Sequence, residues 1–160
     1  MRPAEDKIRT RADLTRRYGR PRSLRVVFTN GVFDLLHRGH VAYLQSARTH
    51  GDVLVVGINS DASARRLEKG PDRPLNAEMD RALVVAGLEC VDAVCVFDED
   101  TPRALVAALL PDVLVKGGDY RLEDVVGRAE VEAAGGQVML IPFLDGYSTS
   151  SLVARIRKDT

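Results

Sequence analysis

The chain has 160 residues, of which 45% are hydrophobic and 29% are charged, and its 23 basic residues are balanced by 23 acidic ones. This length and balance predict one globular domain with a proper core. The zero net charge argues against extensive binding to nucleic acid or to an anionic membrane, since both need an excess of positive charge. No apolar run approaches the roughly 20 residues that span a bilayer. The N-terminus, MRPAEDKIRT, lacks the apolar stretch of a signal peptide, so we expect a cytoplasmic protein.

The first 23 residues differ in character from the rest of the chain, because they are charged and rich in arginine. Within them Ile8, Leu14 and Tyr18 form one weak apolar stripe. This stripe predicts a short helix packed on the domain or on a partner subunit. We expect residues 1–23 to be an N-terminal extension and residues 24–160 to form the main domain.

From Leu24 onward, short apolar runs alternate with helical patterns. The runs are rich in Val, Ile and Leu and do not alternate strictly with polar residues, as is typical of parallel strands covered on both faces. The predicted strands are residues 24–29, 53–58, 93–97, 113–115 and 138–141.

Apolar residues at helical spacing follow the first, second and third strands. We expect Gly51 to end the first of these helices, Asn76 to cap the second and Thr101-Pro102 to open the third. Ser148 is expected to cap a last helix after the fifth strand, whose basic residues near the C-terminus suit the helix dipole.

Strands that alternate with helices predict an α/β fold, here a Rossmann-like, doubly wound parallel sheet of five strands in a single domain. In such sheets ligands bind outside the carboxyl ends of the strands, where the strand order reverses. The loops that follow the strands are therefore the expected site, and they carry the unusual residues of this chain.

The loop after the first strand contains TNGVFDLLHRGH. Gly31 permits a turn that a side chain would obstruct, and Gly39 lets a phosphate approach the main chain closely. From about Gly39 onward, free N–H groups at a helix N-terminus provide an anion site. His37 and His40 can face the same phosphate, and each offers a hydrogen-bond donor to oxygens that gain charge in a transition state.

The two histidines also fit a zinc site, since an HxxH pair can ligate zinc. Such a site needs further ligands, and Asp34 is the obvious nearby candidate. Cys90 and Cys95 are the two cysteines of the sequence. Their spacing matches neither a CxxC pair nor a disulfide framework, so we expect ordinary buried or half-buried thiols.

The segment GVFDLLHRGH resembles the signature GxFDxxHxGH of the cytidylyltransferase-like nucleotidyltransferases. More narrowly, the chain resembles the D-glycero-β-D-manno-heptose 1-phosphate adenylyltransferases in TNGVFDLLHRGHVAYLQSAR, GINSDASARRLEKGPDRPLN, VKGGDY and DGYSTSSL. That activity is often the C-terminal half of a bifunctional kinase/adenylyltransferase. The resemblance implies transfer of a nucleoside monophosphate from a triphosphate, ATP foremost, to a sugar 1-phosphate. It also implies Mg²⁺ with the triphosphate and a homodimer.

A dense cationic cluster in an otherwise neutral chain consists of Arg65, Arg66, Lys69 and Arg73. It is either a solvated helix end or a clamp for phosphates. The resemblance places KGPDRP in a mobile loop near the substrates, with Lys69 as a phosphate ligand. The family usually carries an arginine at the position of Arg81, for which a structural ion pair is almost as good an explanation.

Two further loops complete the expected site. Lys116-Gly117-Gly118-Asp119-Tyr120 follows the fourth strand, and its glycines beside charged residues make a good ligand loop. Asp119 would bind ribose or sugar hydroxyls or help to hold Mg²⁺. Residues 148–151 follow the fifth strand and are either helix caps or a second anion cradle. The family's ST-rich motif at this position binds the β- and γ-phosphates.

The resemblance assigns roles to the residues of these loops. The expected catalytic residues are His37, His40 and Lys69, and the expected ligands of the substrate phosphate are Lys69, Arg73 and Arg81. The expected nucleotide-binding residues are Thr29, Asn30, Gly31, Phe33, Asp34, Gly39, Lys116, Gly117, Asp119, Tyr147, Ser148, Thr149, Ser150 and Ser151.

The sequence departs from the glycerol-phosphate branch of the family at Leu144-Asp145-Gly146, which replaces an Arg-Thr-x-Gly segment. This difference favours a heptose phosphate as the acceptor. Cytidylyl or guanylyl transfer to another phosphorylated polyol or sugar stays an alternative. So do a nucleotide-binding regulatory module and a zinc-dependent hydrolase. Length, neutral charge and the lack of a KMSKS-like segment disfavour a fragment of a tRNA synthetase.

Overall fold

A computed structural model describes residues 2–118 and 120–158. Asp119, one of the expected nucleotide-binding residues, lies outside the described residues. The strands are β1 (Val26–Gly31), β2 (Val53–Asn59), β3 (Ala93–Phe97), β4 (Val113–Gly117) and β5 (Gln137–Ile141). The helices are α1 (Arg11–Tyr18), α2 (Arg38–Arg48), α3 (Asp61–Arg66), α4 (Glu78–Ala86), α5 (Arg103–Leu109), α6 (Arg128–Ala133) and α7 (Thr149–Lys158), with single 3₁₀ turns at Glu5–Lys7 and Leu122–Asp124.

The five strands form one parallel sheet in the order β3-β2-β1-β4-β5. The chain therefore builds the sheet outward from β1 in one direction and then returns to build it in the other. This arrangement confirms the predicted α/β fold, a Rossmann-like doubly wound sheet in a single domain. The strand order reverses between β1 and β4, so the carboxyl ends of these two strands define the switch point where a ligand is expected.

The predicted boundaries are right for β3 and are displaced for β1. Leu24 is 45% exposed, and the strand begins at Val26, whose N–H is bound by Asp112 Oδ2. It continues past the predicted end because Asn30 and Gly31 pair with β2. Asn and Gly disfavour strands when they are considered alone, but the neighbouring strand provides hydrogen-bonding partners for their backbone.

The sheet is covered on both faces. Side chains of α2 and α4, such as Leu44 and Val85, pack on one face. Those of α1, α5 and α6, such as Leu14 and Leu105, pack on the other. Helix α1 thus packs on the domain, the first of the two alternatives, while Ile8 lies before it and bridges to β3. Among the described residues, no helix has the length and apolar character needed to cross a bilayer.

Both cysteines are free thiols, as expected, with Cys95 buried and Cys90 half-buried. Burial raises the pKa of the Cys95 thiol to about 11. A thiol of that pKa stays protonated at neutral pH and is a poor nucleophile.

The predicted helix ends are right in part. Ser148 caps α7, because its Oγ accepts the N–H of Ser151 at 3.0 Å. Asn76 does not cap α4, and its side chain donates to the carbonyl of Asp34 instead. Helix α5 begins at Arg103, one residue later than predicted. Helix α2 ends at Arg48, three residues before Gly51, which follows in the turn.

Candidate active site

A cleft of about 610 Å³ opens at the carboxyl ends of β1 and β4. It is bounded by the loop after β1, the start of α2, the segment between α3 and α4, and the segment between β5 and α7. Fifteen of the expected site residues line it: Asn30, Gly31, Phe33, Asp34, His37, Gly39, His40, Lys69, Arg73, Lys116, Gly117, Tyr147, Ser148, Thr149 and Ser150. Residues from four separate segments, 30–40, 69–73, 116–117 and 147–150, thus meet at the switch point.

The two histidines are oriented by backbone hydrogen bonds at the start of α2. His37 is the N-cap, and its Nδ1 accepts the N–H of Gly39 at 3.1 Å. His40 Nδ1 accepts the N–H of His37 at 3.3 Å. Because an accepting nitrogen carries no proton, the neutral form of each ring bears its proton on Nε2. Both imidazoles therefore offer one N–H donor to a ligand in the cleft.

Burial keeps these rings neutral. It is the main cause that lowers the pKa of His40 to about 4, and the nearby charges of His37 and Lys69 lower it further. Burial also lowers the pKa of His37. At neutral pH the pair consists of two uncharged donors, so the positive charge that a phosphate would meet comes from other side chains.

Two lysines supply that charge. Burial lowers the pKa of Lys116 to about 8, and the charge of Lys69 contributes to the same shift. The Nζ of Lys116 also lies 5.1 Å from the centroid of the Tyr120 ring. Lys69 also lines the cleft, and its charge lowers the pKa of both His40 and Lys116. Two cations and two neutral donors surround a space suited to a phosphoryl group.

Asp34 holds the cationic segment against the cleft. Its carboxylate accepts from Arg73 Nε at 2.6 Å and from the N–H groups of Leu75 and Asn76. Burial alone would raise the pKa of Asp34, but these three donors outweigh it and lower the pKa. Asp34 thus stays ionised and anchors the segment that carries Lys69. Both carboxylate oxygens of Asp34 accept hydrogen bonds from donors of the protein.

Of the expected ligands that the structure describes, three do not line the cleft. Thr29 is fully buried, and its hydroxyl lies 2.7 Å from the Tyr43 hydroxyl. Arg81 has a side chain without exposed surface, and it donates to two carbonyls and to Asp61 Oδ1 at 2.9 Å. The structure therefore favours an ion-paired structural role for Arg81. Ser151 turns its hydroxyl to the carbonyl of Ser148.

Sequence reasoning missed several residues of the cleft. Asn59, Thr101 and Pro102 line it from the ends of β2 and β3, and Asp124 and Phe143 line it from beyond β4 and β5. The first three follow predicted strands, so the rule that ligands bind at the carboxyl ends of strands would have found them. The same rule covers Phe143, two residues after β5, whereas Asp124 lies seven residues after β4 and carries no such signal.

The candidate zinc ligands have other hydrogen-bonding partners in the structure. Asp34 is engaged by Arg73 and two backbone N–H groups. The Nδ1 atoms of both histidines accept backbone hydrogen bonds. Within residues 2–118 and 120–158, no group of three or more His, Cys, Asp or Glu side chains is arranged to hold a metal ion. The donor set therefore suits an anion better than a zinc ion.

The sheet order and the cleft at its switch point define an α/β protein of the Rossmann-like type. Residues 28–155 match the cytidylyltransferase-like family. The chain belongs to this family.

Curated relatives are similar over most of the chain. The bifunctional protein HldE of Geotalea uraniireducens is 61% identical over 136 residues, which cover 85% of this chain and 28% of that protein. The HldE of Trichlorobacter lovleyi is 54% identical over 157 residues, which cover 97% of this chain and 32% of that protein. The HldE of Cronobacter sakazakii is 55% identical over 141 residues, which cover 88% of this chain and 30% of that protein. The chain thus spans about three tenths of the length of these relatives.

Solved structures share the fold. The lipopolysaccharide core biosynthesis protein of Thermoplasma volcanium superposes with a TM-score of 0.64 at 28% identity, over 79% of this chain and all of that one. Pantothenate synthetase of Thermus thermophilus superposes with a TM-score of 0.55 at 21% identity, over 91% of this chain and 69% of that one. The second similarity concerns the fold alone.

Proposed function

We propose that the protein is a nucleotidyltransferase that transfers the adenylyl group of ATP to D-glycero-D-manno-heptose 1-phosphate and releases pyrophosphate. The observation that carries the proposal is the pair of neutral imidazoles, each with its Nδ1 bound by the backbone and its Nε2–H available beside Lys69 and Lys116. Membership of the cytidylyltransferase-like family supports the reaction class. The HldE relatives support the heptose acceptor.

The proposed reaction is a single in-line displacement. A phosphate oxygen of the sugar phosphate forms a bond to the α-phosphorus of the triphosphate. The bond from that phosphorus to the oxygen that bridges to the β-phosphorus breaks, and the electron pair leaves with pyrophosphate. A phosphate dianion is already a competent nucleophile, so neither a protein base nor a covalent intermediate is needed. Catalysis would come from positioning and from stabilising the charge on the transferring group.

The described residues have distinct roles in this scheme. The Nε2–H groups of His37 and His40 would donate to oxygens of the triphosphate as charge develops. Lys69 and Arg73 would neutralise the sugar phosphate. The start of α7, from Ser148 to Ser150, would hold the leaving pyrophosphate with hydroxyls and backbone N–H groups. Ser151 is omitted, since its hydroxyl is bound by Ser148.

Mg²⁺ is proposed to accompany the triphosphate. The metal keeps much of its water and binds mainly to phosphate oxygens in such sites, which suits a cleft whose described residues form no metal cage. When bound, it would neutralise part of the charge of the β- and γ-phosphates. A homodimer located in the cytoplasm is proposed from the family resemblance, and sedimentation of the purified protein would test the assembly.

A matrix of triphosphates and sugar phosphates tests the proposal. The purified chain is incubated with ATP, CTP or GTP and with heptose 1-phosphate or another phosphorylated sugar or polyol, and pyrophosphate release is measured. We expect release with ATP and heptose 1-phosphate, and release slower by about 10²–10³ from His40→Ala. If triphosphates bind but no combination releases pyrophosphate, the protein is a nucleotide-binding regulatory module. Release with CTP or GTP alone would reassign the donor.

A further inference from the structure

The side chain of Asn30 has an unsatisfied amide at the edge of the cleft. Its Oδ1 is buried and accepts no hydrogen bond from any residue that the structure describes, and Asn30 lines the cleft. A buried carbonyl oxygen without a donor costs free energy, so such atoms call for an explanation. A hydroxyl that binds in the cleft, with rotation of the amide about χ2, would provide the donor that this oxygen lacks.

Asn30 faces away from the histidines. It pairs with Gly57 across β1 and β2, and a Cβ at Gly57 would lie 3.3 Å from the Cβ of Asn30 and 3.3 Å from the ring of Phe97. Phe97 belongs to the core layer under α1 and α5. The preceding residue, Thr29, meets Tyr43 of α2 on the opposite face. The sequence grouped Asn30 with the nucleotide, whereas its side chain lies on the α5 side of the sheet.

Two further polar side chains of the cleft lie on the same face. Asn59 is two residues beyond Gly57 in β2, so the alternation of the strand places it on the α5 side. Lys116 is two residues beyond Leu114, which packs in the same core layer. Because the strand order is β2-β1-β4, Asn59, Asn30 and Lys116 form a row across the carboxyl ends of three neighbouring strands. We call these three residues, two amides and a lysine, the amide row.

The chemistry of the amide row suits a polyol phosphate. An amide both donates and accepts, as a hydroxyl does, while phosphate oxygens are acceptors alone. The Nδ2 of Asn59 donates to Ser63 Oγ at 3.0 Å, which orients that amide. Lys116 stands at the end of the row, and it lines the same cleft as Lys69 and His40. A phosphate held there would let the attached sugar extend over Asn30 toward Asn59.

We infer that the amide row is the subsite for the sugar of the acceptor, in which Asn30 and Asn59 bind its hydroxyls. The nucleotide would extend the other way, past Tyr147 and the start of α7. This inference rests on the proposed function. It makes Asn30 a residue that selects the acceptor rather than one that binds the triphosphate.

Replacement of Asn30 by Ala tests the inference with two readouts. We expect Asn30→Ala to raise the KM for heptose 1-phosphate about tenfold, the loss of one hydrogen bond to a hydroxyl. The Kd of a non-hydrolysable ATP analogue, measured without sugar, should not change. Analogues that each lack one hydroxyl extend the test. For one of these analogues, the missing hydroxyl should lower the activity of the wild type. The same missing hydroxyl should not lower the activity of Asn30→Ala further, because its partner is already gone.

Gln137→Ala is the control, because it also removes a side-chain amide, but one that is exposed and stands at the start of β5, away from the cleft. It should behave as the wild type, and thermal unfolding should show that all variants are folded. The inference is overturned if Asn30→Ala weakens binding of the ATP analogue and leaves the KM for the sugar phosphate unchanged. Absence of pyrophosphate release from the wild type would instead refute the proposed function. In that case, calorimetric titration with the sugar phosphate alone still tests the inference. A weaker Kd for Asn30→Ala than for the wild type would support it, and equal Kd values would overturn it.

Discussion

The imidazole rings of His37 and His40 stack on each other, with centroids 3.8 Å apart and an interplanar angle of 27°. Two cationic rings at this separation would repel, so each ring opposes protonation of the other. Burial, His37 and Lys69 together lower the pKa of His40 to about 4. The stacked pair is therefore held as two neutral donors, while the positive charge of the cleft is left to lysine and arginine.

Removal of the deeper ring should abolish most of the activity without loss of the fold. We expect His40→Ala to lower kcat by about 10²–10³, the typical effect of losing one donor to a developing negative charge. The chain offers a matched control in its third histidine, His50, which does not line the cleft. His50→Ala should keep wild-type pyrophosphate release. Near-normal pyrophosphate release by His40→Ala would show that His40 is not a catalytic residue.

The two functions of His37 can be separated by substitution. Asn is as good an N-cap as any residue, so His37→Asn should keep the hydrogen bond to Gly39 and the free energy of unfolding. His37→Ala should lose about 1 kcal/mol of that free energy, because the cap is gone. Both variants lack the Nε2–H donor and should show a similarly low kcat. If denaturant titration finds the two variants equally stable, or if His37→Asn keeps its kcat, the assigned roles are wrong.

Activity should fall in alkaline solution because of Lys116. Burial and Lys69 lower its pKa to about 8, so the ammonium is present below that pH and is lost as the pH rises through it. A plot of kcat/KM against pH reports groups of the free enzyme and should fall above about pH 8. Lys116→Arg should remove this fall, since a guanidinium stays charged. An unchanged alkaline limb in Lys116→Arg would assign the fall to another group.

Substitution of Arg81 should affect stability rather than substrate binding. Its side chain is fully buried and bound to Asp61, Asn76 and Val32. Removal of one partner from a buried ion pair costs about 3–5 kcal/mol, so Arg81→Ala should lower the free energy of unfolding by that order. Arg65→Ala, at an exposed position of α3, should leave stability unchanged. The conservative Arg81→Lys provides folded protein for kinetics, and a raised KM for the sugar phosphate with full stability would restore Arg81 as a ligand.

The order of the strands and helices was predictable because local spacing carries it. Apolar runs of strand length and helical repeats reflect short-range geometry, and β3 has the boundaries predicted from its sequence. The Asp34 interactions were not predictable in this way. Asp34 meets Arg73 across 39 residues of chain, and no local pattern reports a contact of that range. The sequence thus placed both residues in the site but missed that one anchors the other.

The sequence by itself determined the family and the loops that line the cleft, because HRGH, VKGGDY and YSTSS combine chemistry with positions after strands. The tertiary structure alone decided what each side chain does there. It buried Thr29 and Arg81 among protein partners, and it turned Asn30 to the face opposite the histidines. The physical reason is that strand pairing and core packing set the direction of each side chain. Burial then sets the pKa values of His40 and Lys116, and both depend on contacts between distant parts of the chain.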